Sequence, residues 1–267
     1  MTAQDLIQSA LPLIKDVGAF IRSEVKNFDR NVIDLKSQNQ LVSYVDLTAE
    51  KRLVEGLMAI SPEAGFVTEE ATIERNRHTD IVWIVDPLDG TTNFVHGLPV
   101  FSVSVGLMLH GKLAGGIVYE INLDECFYAW EGGKAYCNNK EIHVSQAASL
   151  EDSLLATGFP YYDFEQMDQY LQLLKTLMKG SRGLRRMGSA AVDLAYVACG
   201  RFDAFFEYSL AAWDVAAGAF IVQAAGGKVT DFSGGDDFLW GKEIVASQPK
   251  VSEEFLGLVK KHFKSEA

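Results

Sequence analysis

The sequence predicts an α+β fold, an antiparallel meander half packed on helices followed by an α/β half. Three observations carry this. Apolar side chains in residues 7–25 recur at helical intervals, the spacing drops to two from Ile81 onward, and strand-like and helix-like runs alternate after Ser153. No linker, internal repeat or low-complexity tract intervenes, so halves 1–148 and 149–267 are expected to pack as one unit.

The elements follow in order. Ile7, Leu11, Ile14, Gly18, Ile21 and Val25 mark one face of an N-terminal amphipathic helix, with Pro12 either in its first turn or kinking it. A second helix is expected after Asp46, with Leu47, Val54, Leu57 and Met58 as its apolar face and Asp46 as a candidate N-cap. "FSVSVGLML" alternates Phe101, Val103, Val105, Leu107 and Leu109 with smaller or polar residues, and "HGK" turns it into "LAGGIVYE". "ECFYAW", "KAYC" and "EIHVS" extend the meander.

In the second half, a strand over 153–157 leads to a helix with Met167, Leu171, Leu174 and Met178 on one face, closed by Gly180. Ser189 caps a helix running to Cys199, with Gly200 just past its end. Strand "RFDAFFE", helix "WDVAAGAFIVQAA", strands near Lys228 and Glu243 and a short helix from Ser252 complete the chain.

With 267 residues, 48% of them hydrophobic, the chain can fill a sizeable core. No stretch approaches the roughly 20 consecutive apolar residues of a membrane span. The N-terminus lacks the basic region of a secretory signal, so a cytoplasmic protein without membrane contact is expected. Cys126, Cys137 and Cys199 are too few and too scattered for a disulfide framework or a zinc site. The 24 basic and 36 acidic residues give a net charge of −12, which argues against nucleic-acid binding. An anionic small molecule is still compatible if carboxylate-held divalent cations supply local positive charge.

The chemistry concentrates in "WIVDPLDGTTNF", residues 83–94. In an extended strand, Asp86 and Asp89 would point to opposite faces about 10 Å apart. Pro87 is expected to end the ladder and Gly90 to permit a tight reversal, so that both carboxylates and the Leu88 carbonyl converge. Hard oxygen ligands of this kind suit Mg²⁺. Upstream, "GFVTEEA" ends in Glu69 and Glu70; downstream, "WDVAAG" puts Asp214 at a helix start. Carboxylates about 4 Å apart repel by on the order of 4 kcal/mol per pair at an effective dielectric near 20, so protons or cations must sit among them. Each piece also has a plainer reading: "EE" as a solvated loop, Asp214 and Asp46 as N-caps, "DPLDG" as a turn. "GTT" is not a phosphate-binding Walker loop, which requires GxxxxGK[ST].

Together, "DPLDGTTNF", the upstream "EE" and the downstream "WDVAAG" resemble the inositol monophosphatase family of Mg²⁺-dependent, Li⁺-sensitive sugar phosphatases, in order over 36–227. The resemblance implies a layered αβαβα sandwich, a homodimer, and two or three Mg²⁺ ions. By position, Glu69, Asp86 and the Leu88 carbonyl would bind the first ion, Asp86, Asp89 and Asp214 the second, and Glu69 a weaker third. Glu70 would steady the water network. Thr91 and Asp46 would orient and help deprotonate the attacking water, and the N–H groups of Gly90, Thr91 and Thr92 would hold phosphate oxygens. Glu207, with Ser189 and the Ala190 amide, would contact substrate hydroxyls. Lys36 matches a family lysine near the metals.

The reaction implied is direct, metal-assisted hydrolysis of a small phosphorylated polyol or sugar, foremost myo-inositol 1-phosphate. Histidinol phosphate, fructose 1,6-bisphosphate, a nucleotide 3'-phosphate or NADP are alternative substrates of relatives. A phosphatase-like protein acting by binding a macromolecular partner is a third reading. The family's "DLVT" is here "QLVS", with Gln40 for an acid and Ser43 for a threonine, and the run Arg182 to Met187 fits a substrate contact, a dimer contact or a solvated strand edge.

Overall fold

Helix α1 (Ala3–Glu24) begins with a capping box: Thr2 Oγ1 accepts from Asp5 N at 3.2 Å while Asp5 Oδ2 accepts from Thr2 N at 2.9 Å. The computed structural model that shows this describes residues 1–25, 28, 34–37, 40–71, 79–160 and 163–263. Ile7, Ile14, Gly18 and Ile21 are buried as their spacing predicts, with Leu11 and Val25 at the edge of the stripe. Pro12 lies in the interior of α1, not in its first turn. Helix α2 (Tyr44–Ile60) starts the same way, with Ser43 as N-cap and Asp46 at the third helical position. Asp46 is therefore not the cap itself, because the Ser43 hydroxyl takes that place. Its buried face is Val45, Ala49, Leu53, Val54 and Leu57, whereas Leu47 is exposed and Met58 half-buried.

A two-stranded hairpin, β1 (Asp34–Ser37) and β2 (Gln40–Val42), lies between these helices in sequence. The meander forms a seven-stranded sheet, in the order β3 (Gly65–Thr68), β4 (Ile81–Asp89), β5 (Ser102–Leu109), β6 (Lys112–Glu120), β7 (Glu125–Trp130), β8 (Tyr136–Cys137) and β9 (Lys140–Glu141). Only β3 and β4 pair in parallel. "EIHVS" is strand only at its first residue, since Val144 N donates to Ala225 O at 3.2 Å and draws the chain away from the sheet.

The second sheet runs β11 (Gly183–Arg185), β10 (Leu154–Thr157), β12 (Ala204–Tyr208), β14 (Glu243–Ser247), β13 (Lys228–Thr230). β10 is parallel to both neighbours, and β14 is antiparallel to both of its own. Helices α5 (Ala190–Ala198) and α6 (Ala212–Ala224) lie between the two sheets, and α1 and α2 cover the outer face of the first. α4 (Met167–Gly180) and α7 (Pro249–Phe263) cover the second, completing the layered αβαβα sandwich. Small residues let the middle layer fit: a Cβ on Gly116 of β6 would stand 2.5 Å from Ala217 O of α6.

Two boundaries differ from expectation. α7 starts at Pro249 rather than Ser252, with proline in the first turn where its missing N–H costs nothing. On α4 the buried side chains are Tyr170, Leu173 and Leu177, while Leu171 and Met178 are exposed. Tyr170 goes inside because its hydroxyl finds partners there, Gly158 O at 2.6 Å and Thr157 Oγ1 at 2.9 Å. Among the described residues, no helix is long and apolar enough to cross a membrane.

Candidate active site

Asp86 pairs with Ser104 and Asp89 with Ser102, so β4 takes three steps where β5 takes two. The extra residue is a β-bulge, and it falls at Pro87 and Leu88, where a missing N–H is tolerated. Pro87 therefore does not end the ladder as the sequence suggested. The bulge changes the alternation by one residue, which brings the carboxylates of Asp86 and Asp89 to the same side. Asp86 Oδ1 accepts from Leu88 N at 2.9 Å across it. The strand breaks at Gly90, whose φ is 92° and where a Cβ would stand 3.0 Å from Val100 O. Helix α3 (Thr91–His96) follows at once, its first intrahelical bond running from Phe94 N to Gly90 O at 3.0 Å. The N–H groups of Thr91 and Thr92 lie ahead of that bond, among the helix-start donors that have no intrahelical acceptor.

Asp214 is the third residue of α6, not its N-cap, and its Oδ2 accepts from the N–H of the true cap, Ala211, at 2.6 Å. One carboxylate oxygen from each of Asp86, Asp89 and Asp214 lies within 4.8 Å of the others. Glu69 follows β3, is tied by its N–H to Val85 O at 3.2 Å, and brings its carboxyl against that of Asp86. Burial, then Glu69, Asp89 and Asp214, push the Asp86 carboxyl well above the usual range. Burial also raises Asp89, to about 6, although Ser189 Oγ at 2.5 Å and Ala191 N at 2.8 Å both donate to its Oδ2. Buried acids with a heightened affinity for protons form a donor set made of oxygen alone. That set would fit a hard divalent cation such as Mg²⁺, which takes oxygen ligands and competes with protons for them.

Asp46 is buried behind this group. Its Oδ2 accepts from Ser43 N at 2.8 Å and Ser43 Oγ at 2.5 Å, and its Oδ1 faces Thr91 Oγ1 at 2.9 Å. The Thr91 hydroxyl also lies 3.0 Å from Leu88 O. Burial raises the Asp46 carboxyl, with the Ser43 bonds opposing the shift.

A cavity of about 260 Å³ opens over these groups. Glu69, Asp86, Leu88, Asp89 and Asp214 line its acidic side and Gly90, Thr91 and Thr92 the adjoining turn. Ser189, Ala190 and Glu207 line it too. Ser189 N-caps α5 as predicted, its Oγ 3.3 Å from Val192 N while its proton goes to Asp89. Burial pushes Glu207 well up, with Asp214 adding to the effect. Glu70 is outside the lining and donates its N–H to the buried Glu50 Oε2 at 2.7 Å. Lys36 is on β1, but its side chain lies outside the described residues.

Sequence reasoning missed three groups. Gly158 and Asp193 line the cavity, and Glu50 accepts from the Glu70 N–H. Asp193 Oδ1 is buried with no hydrogen-bond partner among the described residues, and burial holds its carboxyl well above the usual range. A lone acid in the apolar run "AAVDLAYVA" was the available signal. Arg186, one of the basic run around β11, also lines the cavity.

Known proteins resemble the chain over almost its whole length. Residues 2–264 match the model of the inositol monophosphatase family. A Neisseria meningitidis serogroup B protein named putative Nus factor SuhB is 40% identical over 256 residues, 96% of this chain and 98% of the relative. Inositol-1-monophosphatase of Rhizobium meliloti is 40% identical over 252 residues, 94% of this chain and 91% of the relative. The solved structure of the extragenic suppressor protein suhB from Bartonella henselae is 38% identical, covers 95% of this chain and 98% of its own, and superposes with a TM-score of 0.88. The bulged aspartate pair, the capping aspartate of α6 and the layered sheets thus sit in a match that spans almost the whole sequence, and the chain belongs to the inositol monophosphatase family.

Proposed function

We propose that the chain is a Mg²⁺-dependent phosphomonoesterase acting on a small phosphorylated polyol, foremost myo-inositol 1-phosphate. The observation that carries this is the convergence of the Asp86, Asp89 and Asp214 carboxylates at the rim of a polar cavity. Together with Glu69 and the Leu88 carbonyl, they would hold two or three ions. Bound Mg²⁺ supplies charge neutralisation at phosphate and a lowered pKa for an attacking water.

The chain's own groups do the rest. The N–H groups of Gly90, Thr91 and Thr92 hold phosphate oxygens at the start of α3. Thr91 Oγ1 orients the attacking water and passes its proton to Asp46 Oδ1, 2.9 Å away. The two bonds from Ser43 favour the ionised form of Asp46 that this step needs, against the burial that raises its carboxyl. Ser189 and the Ala191 amide fix Asp89, and Glu207 with the Ala190 segment faces the alcohol. By the family resemblance Glu70 would steady the water network, its backbone held by Glu50, and Lys36 would stand near the metals.

We also read the chain as a homodimer. The stripe of Leu171 and Met178, apolar in sequence yet exposed on α4, supports a partner surface. Sedimentation of the purified protein at the mass of a monomer would remove this reading.

A second reading, action through a macromolecular partner, is favoured by one observation: relatives at 39–40% identity bear Nus-factor names. Phosphate release from inositol, histidinol, fructose and nucleotide phosphates, with and without Mg²⁺, separates the two. Mg²⁺-dependent turnover led by inositol phosphates is expected. A shifted preference would change the substrate and keep the metal chemistry, and silence across the panel would move the conclusion to partner binding.

A further inference from the structure

Gly158 follows β10 and lies beside Glu207, because Thr157 is in register with Phe206 across the parallel pair β10 and β12. A Cβ built on Gly158 would stand 2.0 Å from each of Cδ, Oε1 and Oε2 of Glu207, and these are its three nearest atoms. No packed interior accommodates such an approach. Gly158 is not among the residues with positive φ, so its backbone does not require glycine. The space does.

The backbone at this point is also fixed. Tyr170 OH donates to Gly158 O at 2.6 Å, and Thr157 Oγ1 donates to Phe206 O at 2.8 Å. With both strands held, a side chain at position 158 and the Glu207 carboxyl cannot both occupy this place. Glu207 is the partner that yields, since the colliding atoms are the far end of a flexible side chain.

We propose that Gly158 is a positioning residue that seats the Glu207 carboxyl in the lining of the cavity, so that the site prefers phosphate esters of alcohols carrying free hydroxyls. The proposal rests on the phosphatase reading and on Glu207 facing the alcohol. Both Gly158 and Glu207 line the cavity, and Glu207 is 6% exposed. A carboxyl so enclosed reaches a substrate hydroxyl only from the pose that Gly158 permits.

The test is kcat/KM for inositol 1-phosphate and for p-nitrophenyl phosphate, which has no free hydroxyl, in the wild type, Gly158→Ala, Glu207→Ala and the double variant. Each single variant is expected to lose up to about tenfold on inositol 1-phosphate, the worth of one hydrogen bond, and little on p-nitrophenyl phosphate. The double variant is expected to lose no more than either single one, because Gly158 acts through Glu207. Multiplying losses, equal losses on both esters, or a Gly158→Ala protein with unchanged preference beside an altered Glu207→Ala would overturn the proposal. An unchanged preference in Glu207→Ala removes the reading of Glu207 and the proposal with it, and a wild type that hydrolyses neither ester ends the phosphatase reading itself. If Gly158→Ala alone does not fold, the double variant is expected to fold, since the colliding carboxyl is gone. A double variant that also fails would place the collision elsewhere and overturn the proposal.

Discussion

The N-termini of α1 and α2 carry the same capping box, Thr2 with Asp5 and Ser43 with Asp46, yet Asp5 stands in solvent and Asp46 is buried. The local hydrogen bonds match: each acid accepts from the backbone N–H and the hydroxyl of its cap. At Asp5 those bonds dominate and lower the carboxyl below its usual value, with the Thr2 backbone bond as the largest cause. At Asp46 burial outweighs them and raises it. A helix-starting motif thus becomes candidate chemistry when the fold covers it and turns its second oxygen toward Thr91. The third acid-capped helix, α6, goes further, because Ala211 has no hydroxyl to return a bond and Asp214 shares its surroundings with Asp86 and Asp89.

The comparison breaks most visibly in activity. Asp46→Asn is expected to lower kcat by roughly 10²–10⁴-fold, the usual worth of a positioned general base, while Asp5→Asn leaves it unchanged. Steady-state kinetics on inositol 1-phosphate, with thermal unfolding to confirm the fold, checks the pair. Equal effects would mean that Asp46 is only a cap.

A smaller effect concerns the metal-free protein. Asp89 is raised to about 6 from an ordinary value of 3.8, so its contribution to stability is present below 3.8 and is lost as pH rises through about 6. Asp89→Asn removes that loss. The variant is expected to melt higher than the wild type by a few degrees at about pH 8 and to differ little at about pH 4. Mg²⁺ should narrow or reverse the difference at about pH 8, raising the wild-type Tm more than that of the variant, because Asp89→Asn weakens the hold on the ion shared with Asp86 and Asp214 while the site of Glu69, Asp86 and the Leu88 carbonyl is kept. Scanning calorimetry with chelator and with Mg²⁺ reads both, and a variant that responds to Mg²⁺ as the wild type does would exclude Asp89 as a ligand.

How much of this was legible follows from the range of the forces involved. Ser189 as a cap and Gly200 beyond α5 were readable because capping is decided within a few residues. The convergence of Asp86 and Asp89 was readable too, although its cause was not. Pro87 and Gly90 signalled an interruption, but a bulge is a property of two strands, and β5 supplies the missing count. The α4 face was misjudged for a similar reason: hydropathy favours Leu171 over Tyr170, and only the tertiary partners Thr157 and Gly158 make the tyrosine the inward residue. Gly158 was invisible in sequence, since nothing local shows that Glu207, forty-nine positions on, fills the space its side chain would need.

The smallest effect sharpens the opening contrast most directly. Asp5→Ala is expected to lower Tm slightly and to leave both turnover and the Mg²⁺ response untouched, since a solvated cap supports one helix end alone. Its pH dependence runs opposite to that of Asp46. The folded pKa of Asp5 is lowered, so its contribution is present above the ordinary value of 3.8 and is lost as pH falls through the folded value. For Asp46, raised by burial, the contribution is present below 3.8 and is lost as pH rises. Melting curves of Asp5→Ala and Asp46→Asn against the metal-free wild type, from about pH 8 downward, should therefore diverge in sign. The Asp5 difference shrinks toward acid, and the advantage of Asp46→Asn grows toward base. Parallel curves would mean that solvent reaches Asp46, and that its capping box is as ordinary as the one at the start of α1.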